Sequence, residues 1–428
     1  MTHEGLTRGI RKWDLVALLV NVTVGAGIFR LPADAQKAVG NYSLAAFVVC
    51  AVLIGLIALC FAEVGSRFTG TGGPYLYARE TFGPTFAFLT GWLMWLTRIA
   101  GFATLLLVFI AYLGYFWPAA ESGFPRIAII TGLVVILSVI NLLGVKESAR
   151  TSDVLTVSKL IPLLVFVAVG LFVISSMSFT FGDVPNVGAF TSAVFVLIYA
   201  FSGFEAVMIN SGEIREPQRI IPFALLVALA LSVTLFLLIQ VVSIGTLPQL
   251  ANSERPLADA SLTFLGNAGP ILISTGALIS VFGTMNVIML ASSRLPFAMA
   301  VRGQLPGVLC RVHKRFRTPH VSILVSAIAV LLLALPGTFI YALNITVITR
   351  VVVYAGTCLA LPILRRRGDS PAPFSVPAGT IVAIGCIVLC LCLLANTGWQ
   401  ETRDVGIAAV VGLVIYAAMR VAQRPKAS

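Results

Sequence analysis

Two stretches of this 428-residue chain hold residue types able to do chemistry in otherwise apolar surroundings. The first reads Asn21-Val-Thr23-Val24-Gly25-Ala26-Gly27-Ile28-Phe29-Arg30-Leu-Pro32. Gly disfavours a helix interior by about 1 kcal/mol relative to Ala. Two Gly flanking Ala26, with Pro32 little more than a turn further on, therefore mark a place where a helix can unwind. Two readings stand on this stretch alone: a small-residue contact between helices, or a broken helix whose freed backbone groups hold a ligand. The second stretch, Tyr199-Ala-Phe201-Ser202-Gly203-Phe204-Glu205, sets a Gly beside a Ser with a carboxylate two residues later. Paired interruptions at equivalent places in two halves of a chain are the sequence mark of a carrier's binding site, and they favour the broken-helix reading.

Unwinding would leave the N–H groups of Gly25, Ala26, Gly27 and Ile28 unpaired at the start of a second half-helix, where a helix N-terminus favours a carboxylate. The carbonyls of Thr23 and Val24, and those around Phe201 and Ser202, would be acceptors for an ammonium. Donors facing acceptors across a small gap suit a zwitterion. An α-amino acid satisfies both sets without burying a net charge.

Four further ionisable residues fall inside apolar runs: Arg98, Lys159, Glu205 and Arg350. Charge at membrane depth is costly and marks function by default. Lys159 either serves such a role or snorkels to the interface on its long stem. Arg98 and Arg350 are expected to pair with Glu205, Glu63 or free helix carbonyls, or, for Arg350, to face a cavity and select a carboxylated substrate. Glu205 is expected to anchor loosened backbone, and Glu63 to be interfacial. His3, His313 and His320 read as loop residues. The seven Cys (Cys50, Cys60, Cys310, Cys358, Cys386, Cys390 and Cys392) read as separate reduced thiols with no metal. No span offers HExxH or a Ser nucleophile with a base in reach, which counts against an enzyme. No GxxxxGK[ST] loop is present, which disfavours an ATP-driven pump.

The elements that must hold these residues follow from composition. Hydrophobic residues make up 58% of the chain and charged ones 11%, against about 25% charged in soluble domains. That excludes a disordered chain and points to lipid as the solvent. A bilayer core of about 30 Å takes roughly 20 apolar residues per helix. Runs meeting this fall near 14–38, 43–65, 84–115, 126–144, 154–176, 189–211, 220–245, 268–294, 319–337, 340–364, 376–396 and 404–422. The chain is thus expected to be one all-α transmembrane domain of twelve helices over 1–428. With a cytoplasmic N-terminus, twenty-one of the 29 Lys and Arg lie in inside segments and five outside, as the positive-inside rule requires. Both termini are then expected to be cytoplasmic. The net charge of +12 belongs to these loops and not to one polar face, so no nucleic-acid partner is expected. No cleaved leader is expected either, since Asn21, Gly25 and Gly27 sit in the first run and no small-residue cleavage site follows.

Five stretches carry a resemblance. They are Gly25-Ala-Gly-Ile-Phe29; Gly72-Gly73-Pro74-Tyr75-Leu-Tyr77 with Phe82-Gly83-Pro84 and Gly91-Trp92; Asn141-Leu-Leu-Gly144-Val-Lys146-Glu147-Ser148 running to Lys159; Phe201-Ser-Gly-Phe-Glu205 with Glu213-Ile-Arg215-Glu216-Pro217, Arg219 and Pro222; and Arg294 to Pro306. Through them the chain resembles the amino acid–polyamine–organocation superfamily of secondary transporters. The resemblance implies a leucine-transporter-like 5+5 inverted repeat (helices 1–5 over 14–176, helices 6–10 over 189–364) with helices 11 and 12 (376–422) appended. It implies alternating-access transport of amino acids or related amines in the cell membrane. The carboxylate would sit on the Gly25-Ala26-Gly27 backbone, and the ammonium on carbonyls of both breaks. Several relatives carry Ser at the place of Ala26, so backbone donors bear more of the carboxylate here. An aromatic gate would stand at Tyr199. Lys159 would fill the place of a sodium ion between helices 1, 5 and 8, which suits proton coupling without sodium. No cofactor is expected beyond a proton gradient. Symport, exchange and a transport-incompetent amino acid sensor stay open, and the sequence sets no oligomeric state.

Overall fold

Backbone N–H and C=O groups have no water to bond in hydrocarbon, so apolar runs of this length must close their hydrogen bonds within helices. A computed structural model of the chain describes residues 11–68, 72–144, 149–174, 179–205, 214, 216–368 and 372–423, leaving aside the side chains of 26, 149–158, 217 and 218. All its regular elements among these residues are helical. Lys146, Glu147, Ser148, Glu213, Arg215, His3 and the terminal cations Arg8, Arg424 and Lys426 lie outside the described residues.

The first expected span is divided. Helix α1 (Lys12–Thr23) stops, a 3-10 turn covers Ala26–Phe29, and α2 (Leu31–Val39) resumes with Pro32 in its first turn, where a missing N–H costs nothing. Then come α3 (Ser43–Ser66), the short α4 (Pro74–Phe82), α5 (Pro84–Leu113), α6 (Gly123–Leu143) and α7 (Ala149–Gly170). Helix α8 (Val187–Leu197) is started by Asn186, whose side chain accepts from the Ala189 N–H at 2.8 Å, and it stops at the second interruption. After it follow α9 (Pro217–Thr246), the short α10 (Pro256–Leu265), α11 (Ala268–Val301) and α12 (His320–Ala334). The last are α13 (Phe339–Arg367), α14 (Gly379–Ala395) and α15 (Trp399–Ala422).

Among the described residues, seven helical stretches are long and apolar enough to cross a membrane, and four more are apolar but shorter. The chain is a multi-pass membrane protein. Of the expected runs not among these seven, those at 14–38 and 189–211 are broken into pieces, and those at 154–176, 319–337 and 376–396 appear as the shorter helical stretches Lys159–Gly170, His320–Ala334 and Gly379–Ala395. Large apolar side chains face outward, such as Val48 and Val52 on α3, Leu332 on α12 and Val410 and Val414 on α15. In water such a surface would drive association; in lipid it is the ordinary outer face.

Helix α5 runs through the middle, packed against α11 and α13, while α1 lies on α9 and α2 on α8. Thr97 on α5 and Thr349 on α13 share a buried hydroxyl contact of 2.8 Å. Asn141 on α6 reaches Asn286 on α11 at 2.9 Å.

Glu63, near the end of α3, is fully buried within the protein. Arg365 of α13 binds its two carboxylate oxygens with two donors at 2.7 Å each, the Val376 N–H adds a third at 2.8 Å, and Arg67 lies 3.3 Å away. The segment before α14 folds over the end of α3, and this covers the carboxylate. At another place Arg30 pairs with Asp34 at 3.6 Å and with Glu254, and Arg255 pairs with Glu121 and Asp259 at 3.5 Å each.

Candidate functional site

The backbone of the first break leaves fewer free donors than expected. The Gly25 N–H is not left free: it donates to the Thr23 carbonyl at 2.7 Å, and Val24 N–H closes on Val20 at 2.8 Å. The tight reversal at Thr23–Gly25 consumes it. Gly25 is extended and the 3-10 turn begins at Ala26, so the donors that a helix start leaves without intrahelical acceptors begin at Ala26 and Gly27. The far end of the turn is held by the Tyr112 hydroxyl, which donates to the Phe29 carbonyl at 2.6 Å.

At the second break the chain loosens through Tyr199–Phe201 and turns at Gly203, with φ of 115°. A Cβ on Gly203 would lie 2.6 Å from Val22 Cγ1, so only Gly fits both the dihedral and the contact. The two breaks touch a second time where the Tyr199 ring covers Gly27: a Cβ there would lie 2.9 Å from Tyr199 Cδ1.

Between the breaks lies a cavity of about 250 Å³, a little below the usual ligand-site range of roughly 300–1,000 Å³. Thr23, Gly25, Gly27, Tyr199, Ser202 and Gly203 line it, as do Arg98, Lys159, Glu205 and Arg350. Three of the expected residues do not. Val24 and Ile28 are fully buried in the core, and Phe201 packs edge-on against Phe47 and Phe236. Only the backbone of Ala26 is described. Apart from Arg98, sequence reasoning could not register which residues of α5 and α11 face the cavity. Met94, Thr97, Arg98, Gly101 and Leu105 form one wall, and Ser280, Gly283, Thr284, Val287 and Ile288 the other. Both sets follow helical spacing of three and four, a signal visible in the sequence but shared with every small-residue helix contact. Tyr354, also in the wall, was missed as well.

The charges have the following partners. Arg350 Nε stands 3.1 Å from Glu205 Oε1, a charge contact without an aligned N–H, and its Nη1 donates to Ser202 Oγ. Glu205 Oε2 accepts from Tyr354 OH and from Gly203 N–H at 2.9 Å each. Glu205 thus fastens the loosened backbone of the second break to α13. Lys159 is buried and its ammonium donates to the Asn21 carbonyl at the end of α1; it does not snorkel. Arg98 forms no side-chain hydrogen bond or ion pair with any described residue.

Away from this cavity, Cys60, Cys358 and Cys386 bring three buried sulfurs within 4.8 Å of one another. This is a donor set of the kind soft metals take. The sequence shows these thiols as separate because they belong to α3, α13 and α14.

A many-helix membrane protein with a polar cavity between two broken helices has the architecture of a secondary transporter. The family model described as amino acid permease matches residues 10–417, and the chain belongs to that family. The methylthioribose transporter of Bacillus subtilis is 27% identical over 96% of this chain and 93% of its own length. The branched-chain amino acid permease BcaP of the same organism is 26% identical over 97% and 93%. Its serine/threonine exchanger SteT is 28% identical over 96% and 95%. The family and these relatives are transporters and not enzymes.

Proposed function

We propose that the protein carries an α-amino acid across the cell membrane by alternating access, driven by protons and independent of sodium. The observation that carries this reading is the cavity between the breaks at Gly25–Gly27 and Ser202–Gly203. Backbone donors at the start of the 3-10 turn suit the substrate carboxylate, and carbonyls around both breaks suit its ammonium. Lys159, buried against the Asn21 carbonyl, is the coupling residue in this reading: gain and loss of its proton make and release the link from α7 to α1. Tyr199, lying over Gly27, is the aromatic gate. In this reading the chain makes twelve crossings as a 5+5 inverted repeat with α14 and α15 appended, both termini are cytoplasmic, and no cofactor takes part.

The amino acid cargo is supported by the named cargoes of BcaP and SteT. The second of these is an exchanger, which favours exchange as the alternative mode. Uptake into proteoliposomes tests the reading. Saturable accumulation of an amino acid under an inward proton gradient, undiminished when choline replaces sodium, is the expected result. Flux only against a preloaded amino acid would select exchange. Absence of any saturable flux would overturn transport.

A further inference from the structure

Every charged side chain in the cavity wall except one has a hydrogen-bond or ion-pair partner among the described residues. Arg350 and Glu205 neutralise each other, with Ser202, Tyr354 and Gly203 completing their hydrogen bonds. The Lys159 ammonium is held by the Asn21 carbonyl. Among the described residues, Arg98 is the one charged side chain in the wall with no hydrogen bond or contact ion pair, and it meets Glu205 only at longer range. A cation at membrane depth is costly and calls for a counter-charge, and the Glu205 carboxylate is already engaged by its ion pair with Arg350 and by two donors, Tyr354 OH and Gly203 N–H.

We propose that Arg98 is the site for a second acidic group on the substrate, so that the cargo is an amino acid with an anionic side chain. This rests on the transport reading and deepens it. A guanidinium presents five donors in a rigid fork that matches a carboxylate with two parallel bonds. The α-carboxylate and α-ammonium are satisfied at the two breaks, and that leaves the fork on α5 for the side chain. The placement suits this division. Arg98 shares its helix face with Thr97 and Gly101, and the cavity extends from that face to Gly25 and Gly27. The cavity's volume of about 250 Å³ suits a short acidic side chain. Charge points the same way: with the Arg350–Glu205 pair neutral, the wall carries an excess of positive charge, and a substrate of net charge −1 lowers that cost where a neutral zwitterion does not.

The test pairs isosteres that differ in charge. Uptake of L-glutamate, L-glutamine, L-aspartate and L-asparagine is measured in proteoliposomes for wild type, Arg98→Gln and Arg98→Lys, with thermal stabilisation by each amino acid as a second readout. Wild type is expected to prefer glutamate over glutamine, or aspartate over asparagine, at least tenfold. Arg98→Gln is expected to cut that ratio at least tenfold while keeping uptake of the amide, and Arg98→Lys to restore part of it. Equal or better use of the amides by wild type would overturn the inference and leave amino acid transport standing. Equal loss of acid and amide in Arg98→Gln would also overturn it, because Arg98 would then serve the α-carboxylate. If the Arg98 variants do not fold, the wild-type ratio decides by itself. No saturable uptake of any amino acid would overturn the transport reading, and this inference with it.

Discussion

Gly27 sits beneath the Tyr199 ring with no room for a Cβ. Replacing it by Val would push the ring into the cavity and add a β-branched side chain where backbone donors face the ligand. Gly27→Val is expected to reduce uptake at least about tenfold, or ~1.4 kcal/mol, with the melting temperature of the purified protein close to wild type. Uptake at the wild-type level would show that the first break does not bind substrate. Residues of this kind were legible in the sequence because the Gly interruptions come as a pair at corresponding places in the two halves of the chain. The direction of a side chain was not legible. Phe201 lies in the same short stretch as Ser202, yet it turns to Phe47 and Phe236 while Ser202 lines the cavity. That choice depends on how the chain loosens after Leu197, which residue types do not record.

The elements around the cavity divide into two groups. The interrupted helices α1–α2 and α8 were foreseeable, since their breaks are written in Gly25, Gly27, Pro32 and Gly203. The walls on α5 and α11 were not, because Ser280, Gly283 and Thr284 on an apolar helix read equally well as a packing seam. Helix α7 joins the groups through Lys159 and Asn21. Pro162 inside α7 removes the N–H that would bond the carbonyl four residues earlier, which loosens the helix next to Lys159. Lys159→Ala is expected to abolish accumulation driven by a proton gradient and to flatten the pH dependence of uptake. Counterflow of substrate down its own gradient should persist. Uptake at several external pH values checks this, and an unchanged pH profile would assign the coupling to another group.

At the scale of the whole molecule, distant parts of the chain are tied by charge. Glu63 and Arg365 are separated by 302 residues, so no local pattern could have paired them, and a carboxylate near the end of an apolar run reads as interfacial when nothing is known to cover it. Removing one partner of such a buried pair costs about 3–5 kcal/mol. Glu63→Gln is therefore expected to lower the melting temperature by several degrees, measured in detergent without substrate. A melting temperature equal to wild type would mean that water reaches the Glu63–Arg365 pair after all. The all-helical membrane class was legible because composition reports the solvent. The ties between helices were not, because they are made only once the helices are assembled.

The ion pairs around Arg30 have a consequence for turnover. Arg30 joins α2 to Glu254, and Arg255 joins the start of α10 to Glu121. Glu254 is largely and Glu121 partly open to solvent, so dissolved ions reach these contacts. If the transport cycle parts α2 from the 250–256 connection, it breaks the Arg30 contact each time. Raising the ionic strength from 0.1 to 1 M shortens the Debye length from about 10 Å to about 3 Å and lowers that barrier. The maximal rate of uptake should then rise with salt while half-saturation changes little, and Glu254→Gln should abolish the effect. A rate independent of salt would mean that this face stays shut throughout the cycle and that the substrate enters and leaves by another route.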